Sequence, residues 1–292
     1  MDQDRRTAFE AKLVALRPAL HRYAARMVGS ALDGEDVVQE AIARAVAALD
    51  HAPPGENADG WLFRIAHNAA IDFLRARARR QARMVEEDDL VSESDVAASR
   101  VAARAALTIF MQLPPSQRGT VILKDVLGYS NEEAAGILDM TLAATKAALN
   151  RGRSRLRLLA DEAEDGQAGA PALDPADLDR LRLYVDRFNA RDFDSIRGMV
   201  ADDVRFNLVA RMQGGRAAFE TYFSRYGDMN AWHLSAGLVD GRLAVIVTDP
   251  ADAAGRPTHV IAIDWTDGRI ARLRDFYHAR YVLEGAAVVL LG

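Results

Sequence analysis

The chain has 292 residues, 50% hydrophobic and 27% charged, with a formal net charge of -5 and no cysteine. That length is large for one domain and comfortable for two or three. The lack of cysteine excludes structural disulfides, thiolate metal sites and cysteine nucleophiles, and makes a reducing compartment the natural one.

The opening MDQDRRTAFE has no apolar h-region, and no apolar run approaches the roughly 20 residues of a membrane span, so a soluble, cytoplasmic protein with no membrane partner is expected. Phe9, Leu13, Leu16, Leu20, Tyr23 and Met27 recur at helical spacing and predict an amphipathic helix over 7–28, ended by Gly29 and Ser30. A second helix is expected from about Gly34, with Val38, Ile42, Val46 and Leu49 as its buried stripe. HAPPGENADG at 51–60 reads as a loop, and a third helix starts near Trp61.

Charge then falls into blocks. FLRARARRQAR at 73–83 holds Arg75, Arg77, Arg79, Arg80 and Arg83 without an acid, whereas MVEEDDLVSESD at 84–95 holds six acids without a base. The acidic stretch lacks apolar periodicity and reads as a flexible linker. Helix returns near 98–112, stops before Leu113-Pro114-Pro115, and resumes over roughly 116–127. Ser130 followed by Glu133 is a capping box opening NEEAAGIL. Asp139-Met140 reads as a tight turn, because Asp tolerates the left-handed conformation. Thr141 caps the next helix. That helix contains ATKAALNRGRSRLRLL, with Lys146, Arg151, Arg153, Arg155 and Arg157 and no acid. Leu149, Leu156 and Leu159 form its apolar stripe. Lys146, Asn150, Arg153 and Arg157 lie along a neighbouring face, so one face packs while another meets phosphates. Helix, short turn and a longer basic helix form the helix-turn-helix pattern.

DEAEDGQAGAPALDP, 161–175, reads as a second linker. Beyond it LDRLRLYVDRFNARD, FDSIRGMV and GRAAFETYFSRY predict helices. VRFNLVA, WHLSAGLV, RLAVIVTD, THVIAIDW and RIARLRDFYH predict strands, the last two joined by a hairpin at Thr266-Asp267-Gly268-Arg269. Helices followed by an antiparallel sheet make an α+β unit.

GEDVVQEAIARAV with GWLFRIAHNAAIDFLR resembles the second conserved region of bacterial sigma factors. LPPSQRGTVILKDVLGYSNEEAAGIL with the basic helix resembles the fourth. Two such regions without the others resemble the extracytoplasmic-function (ECF) group. YVDRFNARDFDSIRGMVADDVRF, within about 176–285, resembles the SnoaL-like group of the nuclear transport factor two-like cone fold. The resemblance implies a multidomain chain: two all-α sigma domains, a region 2 bundle and a region 4 helix-turn-helix, then an α+β cone-shaped domain. The expected boundaries are 1–83 for region 2, 84–98 for the acidic linker, 99–160 for region 4, 161–175 for the second linker and 176–292 for the cone domain.

The resemblance implies core RNA polymerase and promoter DNA as partners. It assigns Arg64, His67, Asn68, Arg75 and Arg79 to the downstream promoter element. It assigns Arg118, Thr141, Thr145, Lys146, Asn150 and Arg151 to the upstream element, with Arg118 on phosphate. Strand opening needs cations along the backbone and aromatic faces for unstacked bases, although Trp61 and Phe63 read better as core. Asp72 reads as an intramolecular hydrogen-bond partner. Asp36, Val38, Gln39 and Glu40 carry over as the polymerase docking surface, whereas spacing alone reads that face as solvated.

In the cone domain Arg205, Asn207, Tyr222, Trp232, His233, His259, Asp264, Asp275 and His278 are candidates to line a pocket. Of these, Tyr222, Trp232, His259 and Asp275 are the leading set for a small-molecule ligand. Asp275 and His259 can pair across neighbouring strands, as enzymes of this fold do for acid–base work. The plainer reading makes His259 core and pairs Asp275 with Arg272 or Arg274. No spacing suits a metal or a phosphate loop, so neither metal nor cofactor is expected. Three functions compete: a sigma factor regulated in cis by its C-terminal domain, with no chemistry of its own; a small-molecule enzyme or ligand sensor fused to the sigma part; and a plain helix-turn-helix repressor.

Overall fold

Apolar spacing at the N-terminus becomes helix in the computed structural model, which describes residues 2–49, 57–84, 110–165, 173–227 and 232–291. Helix α1 spans Asp2–Val28, α2 Ala31–Ala47 and α3 Asn57–Met84. Ser30 is the N-cap of α2, its hydroxyl accepting the Asp33 N–H at 3.2 Å, so α2 starts three residues before the expected Gly34. The stripe of α2 also differs from expectation. Val38 is core, but Val46 is 44% exposed, and Ala31, Leu32, Val37, Ala41 and Ala45 are the other buried apolar positions. Small residues decide this: a Cβ on Gly34 would stand 2.6 Å from the Ala25 backbone, so α1 and α2 approach too closely for a wide stripe.

The expected acidic linker, most of the helix near 98–112 and the first part of the 51–60 loop lie outside the described residues. Helix α4 runs Pro115–Val121 and continues as one π-helical turn over Ile122–Val126, where a single helix was expected. Helix α5 spans Asn131–Leu138 and α6 Leu142–Asp165, which takes in the first five residues of the expected second linker. The capping box is complete: Ser130 accepts from the Glu133 N–H at 3.1 Å, and Glu133 accepts from the Ser130 N–H at 2.7 Å. Asp139 ends α5 at φ 54°, ψ 48°, and Thr141 Oγ1 accepts from Ala144 N–H at 3.2 Å. Ser130→Ala is expected to lower the unfolding free energy of this unit by about 1 kcal/mol in chemical denaturation.

The chain divides into two compact units, and α1 through α6 form the first. Sequence blocks separated region 2 from region 4, yet the two share one hydrophobic core. Leu20, Tyr23, Met27, Val38, Phe63, Ala66 and Ala70 belong to the same cluster as Ile122, Leu123, Ala134, Ile137 and Leu138.

The second unit begins with α7, Pro175–Asn189, capped by Asp174, and α8, Phe193–Gly198. Strands β1 Val200–Leu208 and β2 Met212–Gly214 precede α9, Arg216–Gly227. Then come β3 His233–Val239, β4 Arg242–Thr248, β5 Pro257–Thr266, β6 Arg269–Asp275, a 3-10 turn at Arg280–Leu283 and β7 Val288–Leu290. The sheet order is β2-β1-β6-β5-β4-β3-β7. Asp267 and Gly268 have φ 50° and 74°, the left-handed pair of a two-residue hairpin, as expected. The sheet is mixed rather than antiparallel, because β1 pairs β6 in parallel. Leu181, Tyr184, Val185 and Phe188 of α7 and Phe219, Tyr222 and Phe223 of α9 pack on the inner faces of β1 and β3–β6. Each fully buried large side chain of this core contributes about 1.5–3 kcal/mol.

Candidate nucleic-acid interface and buried polar cluster

Helix α3 turns one charged stripe outward. Arg64, Asn68, Arg75 and Arg79 are exposed and, at 3.6 residues per turn, fall within roughly 60° of one another. His67 does not join them. It is half-buried, its Nδ1 lies 2.7 Å from the Tyr23 hydroxyl, and burial lowers its pKa. Asp72 accepts from Arg44 Nη1 at 2.9 Å, the intramolecular role expected of it. Phe63 is fully buried and packs edge-on against Tyr23 and Tyr129, so it is core rather than a stacking platform.

On α6 Lys146, Asn150 and Arg157 are exposed along one face. Arg153 shares that face but is bound to Asp125, Nε to Oδ2 at 3.0 Å. Arg151 is exposed roughly 140° around the helix from Lys146, so it belongs to another face. Thr141 is exposed and spends its hydroxyl as the cap.

Two residues assigned to the upstream element are inside. Thr145 is fully buried and donates to Thr141 O at 3.0 Å, as a hydroxyl on the packed side of a helix must. Arg118 is 3% exposed. Its guanidinium donates to Met27 O, to Met111 O at 2.8 Å and to Leu113 O at 2.9 Å, so it is not offered to phosphate in this arrangement. Of the docking residues on α2, Val38 is fully buried and serves the core. Asp36 and Gln39 are half-buried, and Glu40 is exposed and accepts from Arg44 Nε at 2.8 Å.

In the second unit the leading residues do meet. Asp275 is fully buried; Tyr222 Oη donates to its Oδ2 at 2.6 Å and the Tyr277 N–H to its Oδ1 at 2.8 Å. His259 Nε2 faces Asp275 Oδ1 at 3.5 Å. The arginine alternative is not what the fold builds around Arg274: that residue turns to Asp264, 3.4 Å away, because β6 alternation sends Arg274 and Asp275 to opposite faces. Trp232 packs edge-on against His259 and Tyr277. Arg205 and His233 are exposed. Thr258 Oγ1 donates to Val247 O at 3.1 Å and lies 3.0 Å from His259 Nδ1. Burial lowers the His259 pKa to about 4 against the opposing pull of Asp275.

Sequence reasoning missed Tyr184, whose buried hydroxyl has no hydrogen-bond partner among the described residues. Asp275 is close enough to influence it electrostatically. The signal was a tyrosine among the apolar positions Leu181, Val185 and Phe188. Among the described residues no group of three His, Asp or Glu side chains is placed to hold a metal, and no helix is long and apolar enough to cross a membrane.

Comparison with known proteins places these helices. Residues 13–80 match the Sigma-70 region 2 family and residues 103–156 the Sigma-70 region 4 family. The ECF RNA polymerase sigma factor EcfG of Rhodopseudomonas palustris is 36% identical over 163 residues, covering 52% of this chain and 86% of that protein. The chain belongs to the ECF RNA polymerase sigma factors. A second relative, ECF sigma factor SigG of Mycobacterium tuberculosis, is 30% identical over 220 residues, 66% of this chain; the chain spans only 59% of that relative's length. The crystal structure of the Mycobacterium tuberculosis extracytoplasmic function sigma factor SigJ covers 91% of this chain and 95% of its own, at 21% identity and a TM-score of 0.37. In this sigma factor α1–α3 are therefore region 2, and α4–α6 are region 4. The stripes on α3 and α6 are the exposed cationic surfaces of those two regions.

Proposed function

We propose that this protein binds core RNA polymerase and directs promoter-specific initiation, with its SnoaL-like C-terminal unit acting on the sigma part in cis. The observation that carries the reading is the pair of exposed cationic stripes, Arg64/Asn68/Arg75/Arg79 on α3 and Lys146/Asn150/Arg157 on α6. A repressor needs the second stripe but not the first. Phosphate neutralisation by such side chains makes affinity salt-dependent. Lys146→Ala and Arg75→Ala are each expected to weaken promoter binding by the reconstituted holoenzyme. Each also reduces the slope of log affinity against log salt by about 1, read by titration at several salt concentrations. Unchanged slopes for both would remove these residues from the interface. The cis role is tested by comparing core affinity of the full chain with that of a chain ending at Asp165. Equal affinity and equal transcription would dismiss it.

A second reading has its own support. His259 Nε2 and the Tyr184 hydroxyl converge near Asp275 as polar atoms lacking hydrogen-bond partners among the described residues. In this reading a small molecule that donates and accepts hydrogen bonds is recognised there. Asp275→Asn would then abolish ligand binding or turnover in a screen of the full chain, while the sigma-dependent readout in the absence of ligand stays intact.

A further inference from the structure

The contact between the two sigma regions rests on a buried cation. Arg118 belongs to α4 of region 4, yet its Nη1 donates to Met27 O in the last turn of α1, 91 residues earlier. Its other nitrogen holds Met111 O and Leu113 O, so the guanidinium ties the entry of region 4 to the end of a region 2 helix. A cation at a helix C-terminus is favoured by the helix dipole. Burial nevertheless lowers the pKa of Arg118, which reports the cost of removing this charge from water.

Close approach beside Arg118 is permitted by one missing side chain. A Cβ on Gly119 would stand 3.1 Å from Tyr23 Oη, 3.1 Å from Leu138 Cδ2 and 3.6 Å from His67 Cε1. Gly29, at φ +77°, does the same at the end of α1, where a Cβ would meet Met111 Cγ at 2.6 Å. Around these points Tyr129 of region 4 packs edge-on against Phe63 of α3, with ring centroids 5.2 Å apart.

We propose that Arg118 is a latch. In the closed state it caps α1 and holds regions 2 and 4 on one core; on opening, the guanidinium is released to bind DNA phosphate. The closed state therefore removes a DNA contact from region 4 and competes with polymerase binding. The latch rests on the contacts above; only its consequence for transcription rests on the sigma-factor reading.

The test uses the full chain. Because the protein has no cysteine, A43C and S154C place two spin labels on exposed positions, one in each region. The wild type is expected to give one narrow, short distance that lengthens when core polymerase is added. Gly119→Val and Arg118→Ala each shift the distribution to longer, broader distances without polymerase. A protein whose competent state is populated at ~10% or less gains ~10-fold or more in apparent affinity when that restraint is lifted. Gly119→Val should therefore bind core about 10-fold more tightly and retain promoter affinity. Arg118→Ala should gain core affinity but lose promoter affinity, because it lacks the phosphate contact. A long, broad distance in the unmodified protein, or variants that leave the distance unchanged, would overturn the latch. Variants that open without any gain in core affinity overturn its inhibitory role. Variants that open while no form of the chain binds core leave the latch standing and sink the sigma-factor reading instead.

Discussion

Arg17→Ala is expected to destabilise the first unit by about 3–5 kcal/mol, the penalty for leaving a buried carboxylate without its cation. Glu35 on α2 is 1% exposed, and Arg17 on α1 donates to its Oε1 from Nε at 3.1 Å and also from Nη2. The pair lies where α1 and α2 pack, beside the close approach of Ala25 and Gly34. The charge of Glu35 is therefore compensated by a cation from the neighbouring helix, and water reaches only the arginine side, which is 17% exposed. Replacing both residues with methionine removes the charge and the need for its partner, and such exchanges of buried ion pairs are near neutral. Urea denaturation of the wild type, Arg17→Ala and the double methionine variant decides the point. A loss below about 1 kcal/mol in the single variant would reclassify the pair as a surface salt bridge. A double variant as unstable as the single one would show that packing, not charge, carries the effect.

The same contrast between local and distant determinants explains what could be read from the sequence. The helix-turn-helix was legible because its signals are local: Ser130 and Glu133 cap each other, and Asp139 supplies the left-handed turn. The β5–β6 hairpin was legible from Asp267-Gly268. Its register then brings His259 near Asp275, since Asp275 stands opposite Ile261, two residues from His259. Arg118 could not be read the same way. An arginine on a short helix reads as exposed, and its burial is decided by a carbonyl 91 residues earlier. The parallel pairing of β1 with β6 is equally non-local, and β2 and β7 are three residues each, too short for alternation to register. Val38 is a different case: its place in the apolar stripe of α2 already argued for the core over the docking role that resemblance assigned to it.

Two buried histidines make the stability of both units fall as the pH drops from 6.5 toward 4. His21 in α1 is 1% exposed, its Nε2 is 2.9 Å from Ala31 O, and burial lowers its pKa to about 4. His259 in β5 is fully buried and is lowered to about 4 by the same cause. In the unfolded chain each imidazole takes a proton near pH 6.5; in the native state each stays neutral until about pH 4. Between those values the unfolded chain binds more protons, so stability is present above pH 6.5 and is lost as the pH falls. One such histidine contributes about 1.4 kcal/mol per pH unit across that window, or roughly 2 kcal/mol between pH 6.5 and 5. His21→Gln should flatten this dependence in the first unit's transition and leave the second unit's unchanged. His259→Asn should do the reverse, as the two cores are distinct. Chemical denaturation at pH 7 and at pH 5, followed by probes for each unit, reads both effects. If each variant loses stability between those pH values in parallel with the wild type, the proton uptake belongs to other groups and the two imidazoles are not held neutral by burial.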